Sequence, residues 1–232
     1  MEWEKLLQDI IVRSQRESAR KQDRSKRTEQ QILNAALRVF ARDGISRSRI
    51  ADVAAEAGIS ASTLYEYYDS KEDLAYDVPM RHWAQFYAEF FEAVQAKTSA
   101  YDRLLLFLSM TADFARRNAE WARLFYLEIW PSVLLSESEV RHSVDDFARI
   151  TIHLVQQGAR DGEWPASRDP YETAAILMGG VNQVVTTWLL YRRPKNLTKA
   201  STAITERILA LLQSERDQAP KTKRRLVRAA AD

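Results

Sequence analysis

The 232-residue chain carries 46% hydrophobic and 28% charged residues with a net charge of only +2, ordinary composition for one large globular domain or two small ones. Its 6 glycines and 6 prolines leave little material for the tight turns of an all-β fold. The lack of cysteine excludes disulfides, zinc thiolates, iron–sulfur clusters and thiol nucleophiles.

The chain opens on an amphipathic stripe. Trp3, Leu6, Leu7, Ile10 and Ile11 fall three and four residues apart, the spacing of one helix face. Nothing in Met1-Glu2-Trp3-Glu4-Lys5 has the basic start and apolar run of a signal peptide, which fits a cytoplasmic protein. A basic stretch follows, with Arg13, Arg16, Arg20, Lys21, Arg24, Lys26 and Arg27 against only Glu17 and Asp23. A second basic cluster, Lys221 to Arg228, lies in the tail. Two basic ends on a near-neutral body point to a polyanionic partner, although a solvated tail has the same composition.

Thr28-x-x-Gln31 has the form of a capping box and predicts a helix with Ile32, Ala35, Ala36, Val39 and Phe40 on its inner face, ended by Gly44. A short helix capped by Ser48 then buries Ile50, Val53 and Ala54. Gly58 allows the chain to reverse, and Ser60 caps a third helix reaching Tyr68. Ser70-x-x-Asp73 starts a longer fourth helix, which Pro79 should kink. Three short helices with a glycine turn between the second and third are the pattern of a helix-turn-helix, placed here at about residues 48–68.

The run from Gly58 to Leu74, GISASTLYEYYDSKEDL, closely resembles the signature of the TetR (tetracycline-repressor-like) family. The upstream Ile32-Leu33-x-Ala35-Ala36-x-x-Val39-Phe40-Ala41-x-x-Gly44 and Ile50-Ala51-Asp52-Val53-Ala54 are similar to the rest of it, so the likeness covers about residues 28–74. The resemblance implies that Ser60 caps the recognition helix, that Ser62 and Thr63 lie against DNA, and that Tyr65, Tyr67 and Lys71 contact phosphates. It implies the same of Ser48 and Arg49 at the start of the second helix. Ser62 stands where the family often has glycine, Tyr67 where histidine is common and Arg49 where threonine is common, so no operator sequence carries over. The basic residues Arg20, Lys21, Arg24, Lys26 and Arg27 are expected to form an arm that tracks the duplex.

Five further helices are expected at about 101–117, 120–130, 137–160, 170–192 and 197–214, giving an all-α protein. The domains are then 1–27 as an N-terminal helix and basic arm, 28–74 as the DNA-binding unit, 75–214 as a helical ligand-binding and dimerisation unit, and 215–232 as a basic tail. No residue from Thr173 to Tyr191 is charged. Its polar members and Gly179-Gly180 favour a helix buried by protein on nearly every side over a membrane span.

A homodimer on a palindromic site is expected, with Ile176, Gly179, Gly180, Val184, Trp188, Ile204, Ile208 and Leu211 at the interface. The aromatic middle suggests a chamber for an apolar or aromatic inducer lined by Phe107, Met110, Phe114, Phe125, Tyr126 and Trp130, although such residues at helical spacing are more often plain core. Glu128 or Asp113 could select a cationic ligand. The expected function is a ligand-responsive transcriptional regulator acting as a repressor. The nearer alternative is a regulator controlled by a protein partner, or by nothing. A helical enzyme is remote, because no phosphate loop or nucleophile elbow is present and His142, Asp146 and His153 are too spread along one helix for a metal site. No cofactor or metal is expected.

Overall fold

The computed structural model describes residues 2–18, 23–131, 140–166 and 169–218, and they form helices without a strand among them. In chain order these are α1 (Glu2–Ser18), α2 (Asp23–Asp43), α3 (Ile50–Ala57), α4 (Ala61–Tyr65), α5 (Lys71–Val94), α6 (Ala100–Arg117) and α7 (Ala119–Arg123). A π-helical segment, Leu124–Ile129, continues α7, and α8 (Val140–Arg160), α9 (Pro170–Tyr191) and α10 (Leu197–Gln218) complete the body.

The first helices depart from expectation in an instructive way. α2 begins at Asp23, so Thr28 and Gln31 lie inside it and cap nothing. The expected arm is therefore largely helical: Arg24, Lys26 and Arg27 ride on the start of α2, while Arg20 and Lys21 lie outside the described residues. α1 packs on α5, burying Leu7 and Ile10. Its Trp3 stacks on His153 of α8 at 5.4 Å, meets Phe90 of α5 edge-on and lies under the Arg103 guanidinium. Three elements of the body thus grip an element that precedes the reading head in the chain.

α5 belongs to both halves of the molecule. Ser70 caps it by accepting a hydrogen bond from the Asp73 amide, and the helix runs on unbroken through Pro79 to Val94. Its inner face, Trp83, Phe86, Tyr87 and Phe90, interlocks with Phe107 and Phe114 of α6, Trp121 of α7, Phe125 of the π-segment and Phe147 of α8. α10 lies against α6, where fully buried Ser201 and Thr205 keep the contact slim and the Ser201 hydroxyl donates to the Leu108 carbonyl. Glu163, in the α8–α9 connection, holds the start of α6 from 63 residues away: its two carboxylate oxygens accept from the Ala100 and Tyr101 amides at 2.7 and 2.9 Å. A carboxylate suits that place, because the first amides of a helix have no partners inside it.

α9 corrects the expectation of burial all round. Leu177, Val181, Val185 and Leu189 face inward, but only 33% of its most apolar window is buried, and Tyr171, Ile176, Leu190 and Tyr191 are exposed. Length and composition alone would let it cross a membrane. Its packing against α6, α8 and α10 makes it a wall of the helical body.

Gly158 sits directly under the Trp164 ring, which is buried and donates its indole N–H to the Val155 carbonyl at 2.9 Å. Any Cβ at position 158 would overlap that ring. Gly158→Ala is expected to lower the unfolding free energy by about 1–3 kcal/mol, the range for overpacking a core. In thermal unfolding this reads as a drop of several degrees, roughly 2–4 °C per kcal/mol for a chain of this size. An unchanged melting temperature would show that Trp164 is free to move aside.

Candidate functional site

The reading head is a small core built from three helices. Ile32, Ala35, Ala36, Val39 and Phe40 of α2, Ile50, Val53 and Ala54 of α3 and Leu64 of α4 are all buried together. Gly58 ends α3 with φ at 70°, the left-handed conformation that a side chain would disfavour, and its amide donates to Ala55 and Ala54 carbonyls. Ser60 then starts α4. Its hydroxyl accepts from the Thr63 amide at 3.0 Å and lies 2.7 and 2.9 Å from the Ser62 and Thr63 hydroxyls. The front of α4 therefore presents three hydroxyls in one hydrogen-bonded group, with Ser62 and Tyr65 exposed.

Two expectations about this head change. α4 stops at Tyr65, and Tyr67 and Tyr68 follow in turns whose amides donate to the Leu64 carbonyl. Ser48 does not cap α3. It is buried with its hydroxyl donating to the Gly44 carbonyl at 2.7 Å, so the hydroxyl is already committed. Arg49 is the cap residue: its amide donates to Asp52 Oδ2 at 2.9 Å, and its exposed guanidinium pairs with the same carboxylate. That pairing holds the Asp52 carboxyl below the usual range. Lys71 donates to the Ser48 carbonyl at 3.2 Å, which leaves two of its three ammonium donors for other acceptors.

The head is joined to the body at defined points. The Tyr68 hydroxyl donates to Asp77 of α5 at 2.7 Å, and burial first, then this carboxylate, pushes the phenol's pKa far up. Arg81 of α5 reaches Glu29 of α2 at 2.9 Å. On the far side, the Glu128 carboxylate of the π-segment leans on Gly44, close enough that a Cβ there would meet it at 3.3 Å.

The expected ligand chamber is only partly drawn together. Phe125, Tyr126 and Trp130 line a void of about 10 Å³ with Trp83 of α5, Val144 and Phe147 of α8, and Met178 and Asn182 of α9. Phe107 and Phe114 instead pack as core rings, with Phe107 only 4.5 Å from Phe147, and Met110 is absent from that wall. Trp83, Asn182 and Met178 were missed because each comes from a helix whose pattern marks it simply as core or interface. Asp113 is held by Arg116 and Arg117, and Glu128 faces Gly44, so neither borders the void. A wider cleft of about 340 Å³ lies elsewhere, between the end of α8, Trp164 and the start of α9, and includes none of the expected residues. The walls of the smaller void include α5 and the π-segment, both of which also touch the head.

The interface residues divide. Ile176 and Leu211 are exposed and Gly179 opens on free space. A Cβ at Gly180 would come within 3.2 and 3.6 Å of Ile204 and Ile208 of the same protomer, so its small size serves the α9–α10 contact. Val184 and Trp188 are half-buried, with Arg192 over the Trp188 ring. Among the described residues no group of three or more His, Asp or Glu side chains is placed to hold a metal, and the side chain of His142 is outside them.

A hydroxyl-fronted short helix, braced by a second helix across a glycine turn and mounted on a helical body, defines a helix-turn-helix DNA-binding regulator. Residues 32–78 match the profile of bacterial regulatory proteins of the tetR family, and residues 80–211 match that of the YsiA-like protein C-terminal region. The chain belongs to the TetR family; it is a transcriptional regulator and not an enzyme. It is 25% identical over 180 residues to the fatty acid metabolism regulator protein of Bacillus subtilis, covering 78% of this chain and 93% of that one. The fold is also that of the regulator FadR from Bacillus subtilis in complex with stearoyl-CoA, with a TM-score of 0.72 at 24% identity over 78% of this chain and 97% of that one. The fatty acid degradation regulator FadR from Bacillus halodurans is similar, at a TM-score of 0.70 and 20% identity over the same shares.

His82 of α5 stacks on Trp121 and has Nδ1 3.0 Å from the Val78 carbonyl. Burial holds its pKa below the ordinary histidine value of 6.5. The unfolded chain then takes up this proton first. Stability from the neutral ring is complete above about pH 6.5 and is lost as the pH falls below it, toward the depressed folded value. Urea unfolding of the wild type should weaken from pH 7 to pH 5, and His82→Gln should show a shallower decline over that interval. Equal slopes in the two proteins would remove His82 as the cause.

Proposed function

We propose that this protein is a ligand-responsive repressor that binds a palindromic operator as a homodimer and is released by a long-chain acyl ligand, with an acyl-CoA the first to try. The observation that carries this is the shared wall: α5 and the π-segment both border the aromatic void and both touch the reading head. The names of the similar proteins supply the ligand class, a fatty acid metabolism regulator and a regulator bound to stearoyl-CoA. Membership of a family of bacterial regulatory proteins that act on DNA supports a cytoplasmic location.

On DNA, Ser62 and Thr63 at the front of α4 face the groove, while Tyr65, Tyr67, Lys71 and Arg49 hold phosphates. Ser60 sets the helix start, and Ser48 acts through its carbonyl, which orients Lys71. The exposed apolar side chains Ile176, Leu190, Tyr191 and Leu211 form the surface that a second copy covers. Ligand entry parts α5, the π-segment, α8 and α9. Short π-helical segments are rare and occur frequently at functional sites. Displacement of this one moves Glu128 against Gly44 and with it the turn that leads into α3. The ligand thereby favours a spacing of the two heads that does not fit the operator.

The small size of the void favours a second reading, a regulator whose body is simply packed and which answers to a protein or to nothing. One experiment separates them. An operator recovered from random DNA should be palindromic, and its affinity should fall at least about tenfold with saturating stearoyl-CoA, with DNA weakening acyl-CoA binding by the same factor. Unchanged operator affinity and an unchanged melting temperature with acyl-CoA would leave the second reading. Lys71→Ala should weaken operator binding and reduce the slope of log affinity against log salt by about 1. An unaltered slope would take Lys71 off the phosphates.

A further inference from the structure

Within the aromatic core two polar atoms have no hydrogen-bond partner among the described residues although they are buried, the indole nitrogens of Trp83 and Trp121. Trp83 is the one that forms part of the void's wall. Its neighbours explain the missing partner. Phe86, Tyr87, Trp121, Phe125 and Phe147 surround it with ring centroids at 5.2–5.8 Å, and ring faces are weak acceptors at best. A buried donor left without an acceptor costs free energy, and native structures pair nearly all such groups. Phenylalanine would fill much of the same space without that cost.

We propose that the Trp83 indole N–H is the donor that reads the carbonyl oxygen of an acyl ligand, and so sets the preference for acyl over plain alkyl chains. The inference rests on the ligand class of the proposed function and deepens it. The void holds about 10 Å³, roughly the space of one water molecule, so an alkyl chain enters only by parting the rings of its wall. Parting those rings gives the Trp83 edge access to whatever enters. A hydrocarbon offers it nothing, and the donor stays unpaired. A thioester or carboxyl carbonyl satisfies it in surroundings where no water competes, which makes the bond selective. Asn182 of α9, whose side chain also lines the void, gives the polar end of the ligand a second group.

The test uses three probes with the full-length protein: stearoyl-CoA, S-octadecyl-CoA, which keeps the chain and the nucleotide but has no carbonyl, and free stearate. The wild type should bind stearoyl-CoA about tenfold more tightly than the thioether, and Trp83→Phe should bind both within about twofold of the wild-type thioether value. Operator binding by the variant without ligand checks that it is folded. In the unaltered protein, the ¹⁵N-labelled Trp83 indole proton should shift downfield with stearoyl-CoA and not with the thioether. Tight binding of stearate by the wild type, lost in the variant, would support the same donor and make the free acid the source of the carbonyl. Retention of the acyl preference in Trp83→Phe, or equal wild-type binding of ester and thioether, would overturn the inference while leaving the ligand class intact. Binding of none of the three by the wild type would overturn both.

Discussion

The position of α5 depends on one knot of aromatic rings. Trp83 stands at its centre, within 6 Å of rings from α5 itself, α7, the π-segment and α8. Aromatic pairs prefer edge-to-face and offset arrangements, so a ring held on several sides has few alternative orientations. The same helix begins at the Ser70 cap beside the reading head and is tied to it by Tyr68–Asp77 and Arg81–Glu29. Whatever moves this knot moves the platform on which the head stands. The rings that fill the core thus also seat the helix that carries the head.

The head was legible in the sequence for a physical reason. Its α4 turn depends on residues with narrow requirements, a glycine at positive φ and a hydroxyl at the helix start, and Gly58 and Ser60 meet them. The body was legible as helices, because apolar spacing marks a buried face. Which buried faces meet is decided by packing between elements far apart in the chain. For that reason Phe107 and Phe114 could not be told from Phe125 and Tyr126, and Trp83 and Asn182 went unseen.

Local rules also failed where another group, near or distant, supplied the same service. Thr28-x-x-Gln31 reads as a start signal, yet α2 already runs through it from Asp23. Ser48 satisfies every preference for a cap, but the compact Gly44 turn takes its hydroxyl and passes the role to Arg49 and Asp52. The clearest instance is Glu163. No short-range pattern connects it with Ala100 and Tyr101, and only the folded chain brings the carboxylate to those amides.

One element lies outside the matched family profiles. α1 precedes residue 32, rests on α5 and α8 through Leu7, Ile10 and Trp3, and leads within a few residues into α2. The chain therefore enters the reading head from the body and returns to the body along α5. A unit on a single hinge swings through an arc. One moored at both ends has a single axis left to turn about, the line between its moorings. An apolar stripe ahead of the matched profiles, Leu7 and Ile10 with Trp3, thus adds an anchorage on α5 and α8 to the one that α5 itself gives the head.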